Sequence, residues 1–147
     1  MISISVADGA GLQNYDAVLE HIFNTHRTTN TVKESWLNAM HKREAEYPTG
    51  IELEGYSIAI PHCDSEHANQ PAIYIIRLPD AIPVNRADED GILWVRLVVN
   101  LIVTDPADQL RLLKPLFNHL QNEEFCQNLL TLPVDDAKAL FVSKIIQ

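Results

Sequence analysis

The longest apolar segment of the chain runs from Ile92 to Val103 and is rich in β-branched residues. It is too short for a helix that spans a membrane, and Arg96 and Asn100 interrupt it. A β-branched run of this kind is typical of a central strand that is covered on both faces. The chain must therefore build a sheet around this strand and pack other elements against it.

The spacing of apolar residues predicts two helices ahead of this strand. The first lies within Asn14 to Thr25, and the second follows Thr31 with Trp36 and Met40 on its apolar side. Pro48 should stop the second helix, because proline removes a backbone donor and clashes with the preceding turn. The polar residues just before Pro48 therefore sit near a helix end.

Three shorter segments have strand patterns: Ile2 to Val6, Tyr56 to Ile60 and Ala72 to Leu78. Pro61 follows the second of them directly. Because proline has no N–H group, that strand must end there or reach an edge of the sheet. His62 therefore sits where a strand leaves the sheet.

The long apolar strand is followed at once by Asp105 and Pro106, a favoured N-cap residue and a favoured first helical residue. A helix should begin there, and Pro115 should kink or divide it. The residues predicted to face inward are Leu110, Leu113, Leu116 or Phe117, and Leu120. Two shorter helices are predicted within Glu123 to Leu130 and Asp135 to Ile146. This order of elements indicates an α/β or α+β fold with a sheet covered by helices.

Length and composition exclude several classes of protein. The 147 residues are 46% hydrophobic and contain no low-complexity tract, so we expect a single domain over residues 1–147. A formal net charge of -9 argues against a nucleic-acid partner. Cys63 and Cys126 are too few for a disulfide framework, and the first residues lack a signal-peptide pattern. We therefore expect a cytoplasmic protein that does not insert into a membrane.

The first candidate for chemistry is His62, whose imidazole leaves a strand end beside Cys63 and Asp64. A neutral imidazole is a good nucleophile near physiological pH and can attack phosphorus. The alternative is a core-edge histidine whose ring is satisfied by its neighbours. His67 shares the turn but shows no partner pattern, so we expect it to be solvated. These residues have no regular metal-ligand spacing, which argues against a metal site.

Two further candidates lie at predicted helix ends. Arg43 could be an ordinary surface cation near a helix C-terminus or a planar donor for a phosphoryl group. Gln109 lies in the first turn of the helix after Asp105, where free N–H groups suit an anion. Asp105 and Asp108 put negative charge at the same end, so an ordinary capped helix is the alternative. No glycine-rich phosphate loop occurs, and nucleotide binding is unsupported.

Three segments together resemble a known family: Arg-Glu at 43–44, Tyr-Pro-Thr-Gly at 47–50 and Ser-Ile-Ala-Ile-Pro-His at 57–62. They resemble the signature of the type-2 (fructose/mannitol-type) EIIA domain of the bacterial sugar phosphotransferase system. Within that family the chain is most similar to the galactitol-specific EIIA proteins. The resemblance implies an α/β fold, with a mixed β-sheet sandwiched by helices.

The resemblance also implies roles for the candidate residues. In the family the histidine of the Ile-Pro-His run, here His62, accepts a phosphoryl group from the phosphohistidine of the carrier protein HPr. It then passes the group to a cysteine of the EIIB component. Arg43 would neutralise the phosphoryl oxygens. Many members have a second active-site histidine where this chain has Gln109, whose amide can donate a hydrogen bond but cannot become cationic.

Two functions follow as hypotheses. The first is a phosphocarrier for uptake of a sugar alcohol, with galactitol as the best guess, whose direct partners are HPr and EIIB and whose indirect partner is the membrane component EIIC. The second is a regulatory EIIA-like module whose phosphorylation state alters binding to another protein. Neither requires a metal or a cofactor, because phosphoryl transfer needs alignment and charge stabilisation above all.

Overall fold

The computed structural model describes residues 2–146, in which helices flank a mixed five-stranded sheet. Met1 and Gln147, the two ends of the predicted domain, lie outside the described residues. The strands are β1 (Ser3–Asp8), β2 (Gly50–Leu53), β3 (Tyr56–Ala59), β4 (Ala72–Asn85) and β5 (Ile92–Ile102). The helices are α1 (Tyr15–Thr28), α2 (Trp36–Glu46), α3 (Pro106–Leu120), α4 (Glu123–Thr131) and α5 (Val134–Ile145).

The strand order in the sheet is β1-β4-β5-β3-β2. The pairs β1–β4 and β3–β5 are parallel, whereas β4–β5 and β2–β3 are antiparallel. The strand predicted from the long apolar run is thus the central one. The mixed sheet of the expected α/β fold is confirmed.

Each face of the sheet carries its own apolar core, which confirms the sandwich arrangement. On one face, side chains such as Leu116 of α3 and Phe141 of α5 pack against Ile75 and Val99 of the sheet. On the other face, residues of α1 and α2, among them Trp36, pack against the same strands. Burial of these apolar surfaces from water is the main force that holds the helices on the sheet.

The strand β5 is covered on both faces only over part of its length. Residues Leu97 to Ile102 are all buried, but Ile92 and Trp94 are 59% and 65% exposed. Past an irregularity between Arg77 and Ile82, the pairing of β4 with β5 continues as an extension in which buried and exposed residues of β5 alternate. The expectation of cover on both faces is therefore wrong for the first half of this strand.

One expectation for α3 is also wrong, and a second is wrong in part. Asp105 caps the helix as expected, with its carboxylate accepting from the Ala107 N–H group at 3.0 Å. However, Leu110 is 74% exposed, because the buried stripe of the helix is formed by Leu112, Leu116 and Leu120. The helix also continues unbroken through Pro115, so it is not divided there.

Gly50 begins β2 at a place where the backbone of another segment lies very close. A Cβ atom on Gly50 would overlap the carbonyl oxygen of Asn85, which belongs to the rigid strand β4. We predict that Gly50→Ala lowers the free energy of unfolding by roughly 1–3 kcal/mol, measured by urea denaturation.

Gly11→Ala is the matched control, because Gly11 has a φ of +86° but open space around its missing Cβ. That variant should lose only about 1 kcal/mol from backbone strain. A Gly50→Ala protein as stable as the parent would show that β2 can move away from Asn85 without cost.

Candidate active site

The site is organised by the parallel pairing of β3 with β5. Ile58 and Ala59 lie opposite Leu97 and Val98, and the chain then leaves the sheet through Ile60, Pro61 and His62. Pro61 cannot donate a backbone hydrogen bond, but its carbonyl accepts from the Leu101 N–H group at 3.1 Å. His62 therefore follows a backbone segment that is still tied to the central strand.

The ring of His62 is held by the backbone two residues before it. Its Nδ1 atom lies 2.6 Å from the carbonyl oxygen of Ile60. A carbonyl can only accept, so Nδ1 must carry the proton and donate it. In the neutral ring this leaves the lone pair on Nε2.

Burial keeps the His62 ring in its neutral form. Removal from water lowers the pKa of His62 below its ordinary value, and the positive charge of Arg43 lowers it further. The bond to the Ile60 carbonyl and the negative charge of Asp64 act in the opposite direction and do not cancel the effect of burial. A neutral imidazole at neutral pH is the state that a nucleophile requires.

The structure brings Arg43 next to this lone pair. Arg43 lies in the last turn of α2, and its Nη2 atom is 3.5 Å from Nε2 of His62. Its Nε atom donates to the carbonyl of Tyr47 at 3.1 Å. This second bond fixes one side of the guanidinium while the other side faces the imidazole, so the two predicted site residues do form one arrangement.

Glu44 and Thr49 support this site, a role that the sequence patterns did not reveal. The Thr49 hydroxyl donates to the Glu44 carboxylate, with Oγ1 2.8 Å from Oε2, and the Thr49 carbonyl accepts from the Ile60 N–H group at 3.1 Å. Burial raises the pKa of Glu44, although its bonds to Thr49 oppose that rise. The chain turn after Arg43 is thus tied to the residue whose carbonyl orients His62. The feature of the sequence that could have revealed this role is the spacing of Arg43, Glu44 and Thr49.

Gln109 lies at the same edge of the sheet but does not join the arrangement directly. It is partly buried in the first turn of α3, which follows β5 just as His62 follows β3. Because β3 and β5 are parallel, both segments leave the sheet at the same edge. Within residues 2–146, however, the Gln109 side chain forms no hydrogen bond to His62 or Arg43.

An open groove of about 410 Å³ lies beside Arg43 and is also lined by Lys42, Cys63 and His67. His67 was expected to be solvated, but its Nδ1 atom lies 2.8 Å from the Ser35 hydroxyl and its side chain is only 21% exposed. That expectation is wrong because the loop packs back against the start of α2. Burial raises the pKa of the Cys63 thiol to about 12, which leaves it protonated and poorly nucleophilic at neutral pH.

The described residues form neither a cluster of metal ligands nor a membrane-spanning helix. Between residues 2 and 146, no three His, Cys, Asp or Glu side chains converge as a metal site would require. Over the same residues, none of the helices combines the length and the apolar character needed to cross a bilayer.

Comparisons with known proteins identify the family of the chain. The family model for the phosphoenolpyruvate-dependent sugar phosphotransferase system, EIIA 2, matches residues 5–142. The galactitol-specific EIIA component of Escherichia coli (strain K12) is 39% identical over 146 residues, which is 99% of this chain and 97% of that protein.

Two solved structures from Escherichia coli share the fold at lower sequence identity. The complex of enzyme IIAMTL and phosphorylated enzyme IIBMTL matches with a TM-score of 0.75 and 19% identity, covering 95% of this chain and 94% of that chain. The crystal structure of IIA mannitol matches with a TM-score of 0.74 and 19% identity, over 92% of this chain and 94% of that one. These two likenesses show the fold. The family match over residues 5–142 and the 39% identity to the galactitol-specific component show that the chain belongs to the EIIA type 2 family of the sugar phosphotransferase system.

Proposed function

We propose that the protein is a phosphocarrier that accepts a phosphoryl group on Nε2 of His62 from phosphorylated HPr and passes it to a cysteine of an EIIB component. The observation that carries this proposal is the bond from Nδ1 of His62 to the Ile60 carbonyl, with Nε2 left unprotonated beside Arg43. A ring held in this way presents one nucleophilic nitrogen in a fixed direction, which is the chief requirement for in-line transfer.

Arg43 supplies the charge stabilisation. Its guanidinium lies at the long limit of hydrogen bonding from Nε2, at 3.5 Å, so it can turn from the ring to the oxygens of an incoming phosphoryl group. Gln109 donates an additional hydrogen bond to those oxygens from the first turn of α3. During transfer the P–N bond of the donor breaks, the P–N bond to His62 forms, and the donor imidazole is left to take up a proton.

Partner proteins dock on the surface around His62. Tyr47 and Leu110 are 68% and 74% exposed, and each belongs to a segment that contributes a site residue. Exposed apolar side chains next to a reactive group are typical of a surface that receives another protein. The mannitol-type neighbour, which was solved as a complex with phosphorylated enzyme IIB, supports EIIB as one occupant.

The sugar served by the system is galactitol. The support is the 39% identity, over nearly the full length of both chains, to a galactitol-specific EIIA component. This protein would not contact the sugar, which is carried by the EIIC component and phosphorylated by EIIB. The location that follows is the cytoplasm, where HPr and EIIB are available.

The first test is phosphorylation with enzyme I, HPr and phosphoenolpyruvate, followed by mapping of the label. We predict that the parent protein is labelled on Nε2 of His62 and that His62→Ala folds normally but accepts no phosphate. The phosphorylated protein should then transfer its label to the EIIB of a galactitol system. Labelling of a folded His62→Ala protein would contradict the site, and labelling without onward transfer to any EIIB would favour a regulatory module.

The second prediction concerns pH. Because burial and Arg43 lower the pKa of His62, the rate of phosphoryl acceptance should fall to half of its plateau at a pH below about 6.5, the ordinary pKa of histidine, as the lone pair on Nε2 becomes protonated. Arg43→Gln removes the positive charge, so its rate should begin to fall at a higher pH than that of the parent. Histidine ordinarily titrates between about pH 5 and pH 8. A parent rate that does not change across this range would show that another step limits transfer.

The third prediction separates the two supporting side chains. Gln109→Leu should slow phosphoryl acceptance by roughly 10- to 100-fold, because one donor to the phosphoryl oxygens is lost. Arg43→Gln should be slower still, since it removes both a charge and a two-pronged donor. Gln109→His, which restores a donor, is the matched control and should retain activity. If Gln109→Leu is as fast as the parent in a rapid-mixing assay, Gln109 is only a surface residue of α3.

A further inference from the structure

Asn100 is a polar residue near the end of the central strand β5, and its side chain is completely buried. A carboxamide in such a place costs stability unless both its oxygen and its nitrogen are hydrogen-bonded. Both are bonded here. The Nδ2 atom lies 3.1 Å from the Pro61 carbonyl oxygen, and Oδ1 lies 2.9 Å from Nε2 of His26 on α1.

The direction of each bond is fixed by the chemistry of the groups. The Pro61 carbonyl can only accept, so the NH₂ group of Asn100 must face it. Oδ1 then faces His26 and can only accept, so His26 must donate from Nε2. The result is a directed chain of two hydrogen bonds from α1, through the central strand, to the residue before His62.

The Pro61 carbonyl controls the direction in which His62 leaves the sheet. The planar peptide that contains this carbonyl also contains the backbone nitrogen and Cα atom of His62. The Leu101 N–H group alone would allow that plane to rock about one bond, whereas the second donor from Asn100 fixes it. The Ile60 carbonyl holds the ring of the His62 side chain, at Nδ1.

We propose that Asn100, oriented by His26, is a positioning residue that aims Nε2 of His62 at the incoming phosphorus atom. This inference rests on the proposed role of His62 as the phosphoryl acceptor. Stability does not demand the pair, because replacing both partners of a buried hydrogen bond by apolar groups of similar shape is often nearly neutral. The Pro61 carbonyl would also keep its bond to Leu101.

The test compares variants that remove the pair with variants that preserve its geometry. His26→Leu combined with Asn100→Leu should fold with a free energy of unfolding close to that of the parent. Its maximal rate of phosphoryl acceptance should be about tenfold lower, because the nucleophile is no longer held in line. The concentration of phosphorylated HPr that gives half of this rate should not change, since the docking surface is intact.

A conservative substitution provides the rescue. His26→Leu alone should also be slow, whereas His26→Gln, whose amide can donate to Asn100, should recover most of the lost rate. His21→Phe is the matched control, because His21 also projects from α1 and its hydrogen bond goes to the Tyr74 hydroxyl, at 2.7 Å, and not to Asn100. Since the Tyr74 ring packs against His26, this variant disturbs the same region and leaves the bonds of Asn100 in place. That variant should keep the parent rate.

The outcomes distinguish this inference from the proposed function. If the parent is not labelled on His62, the proposed function fails and the inference fails with it. If the parent is labelled and the folded double variant reaches the same maximal rate, only the inference is overturned. Should the double variant not fold, hydrogen exchange in the parent decides: the Asn100 amide protons should exchange slowly and the His26 ring should show the Nε2–H tautomer, and fast exchange or the other tautomer would overturn the inference.

Discussion

The position of His62 depends on the absence of a backbone N–H group at Pro61. With no N–H group to donate, this residue cannot extend the pairing of β3 with β5, and the chain must leave the sheet there. Its carbonyl is nevertheless still bonded to the central strand, through Leu101 and Asn100. At Pro61 the segment thus donates no backbone hydrogen bond, but its carbonyl keeps it bonded to the central strand. His62 follows directly, so its backbone starts from a fixed point and its side chain can reach the protein surface.

The ring of His62, which we propose as the phosphoryl acceptor, is kept neutral mainly by burial. No carboxylate accepts from Nδ1 of His62; a neutral carbonyl does so instead. A carboxylate there would favour the charged imidazolium, whereas a carbonyl leaves the ring neutral and fixes its tautomer. Arg43 can then stand close to Nε2 without facing another full positive charge. In the proposed function the same cation would face the negative oxygens of the incoming phosphoryl group.

Local rules predicted much of the fold and the position of His62 beyond a strand end. The cap at Asp105 follows from the carboxylate of that residue. The helix end before Pro48 and the strand exit at His62 each follow from the backbone chemistry of one proline. Other features depend on distant parts of the chain. The open face at Trp94 arises where β4 and β5 pair beyond the irregularity in β4, and the partner of His67 lies across a loop. Asn100 was visible as an interruption of the apolar run, but its partners were not.

The two tryptophans occupy contrasting environments with a practical consequence. Trp36 is 2% exposed, begins the helix that carries Arg43 and stacks on Phe23 of α1 with ring centroids 6.4 Å apart. Trp94 is largely exposed to water and lies near the beginning of β5, in the half of the strand that is not covered on both faces. Their fluorescence can therefore be separated with a water-soluble quencher, which reaches only the exposed indole. The emission that remains comes from Trp36 and reports on the packing of α2 against α1.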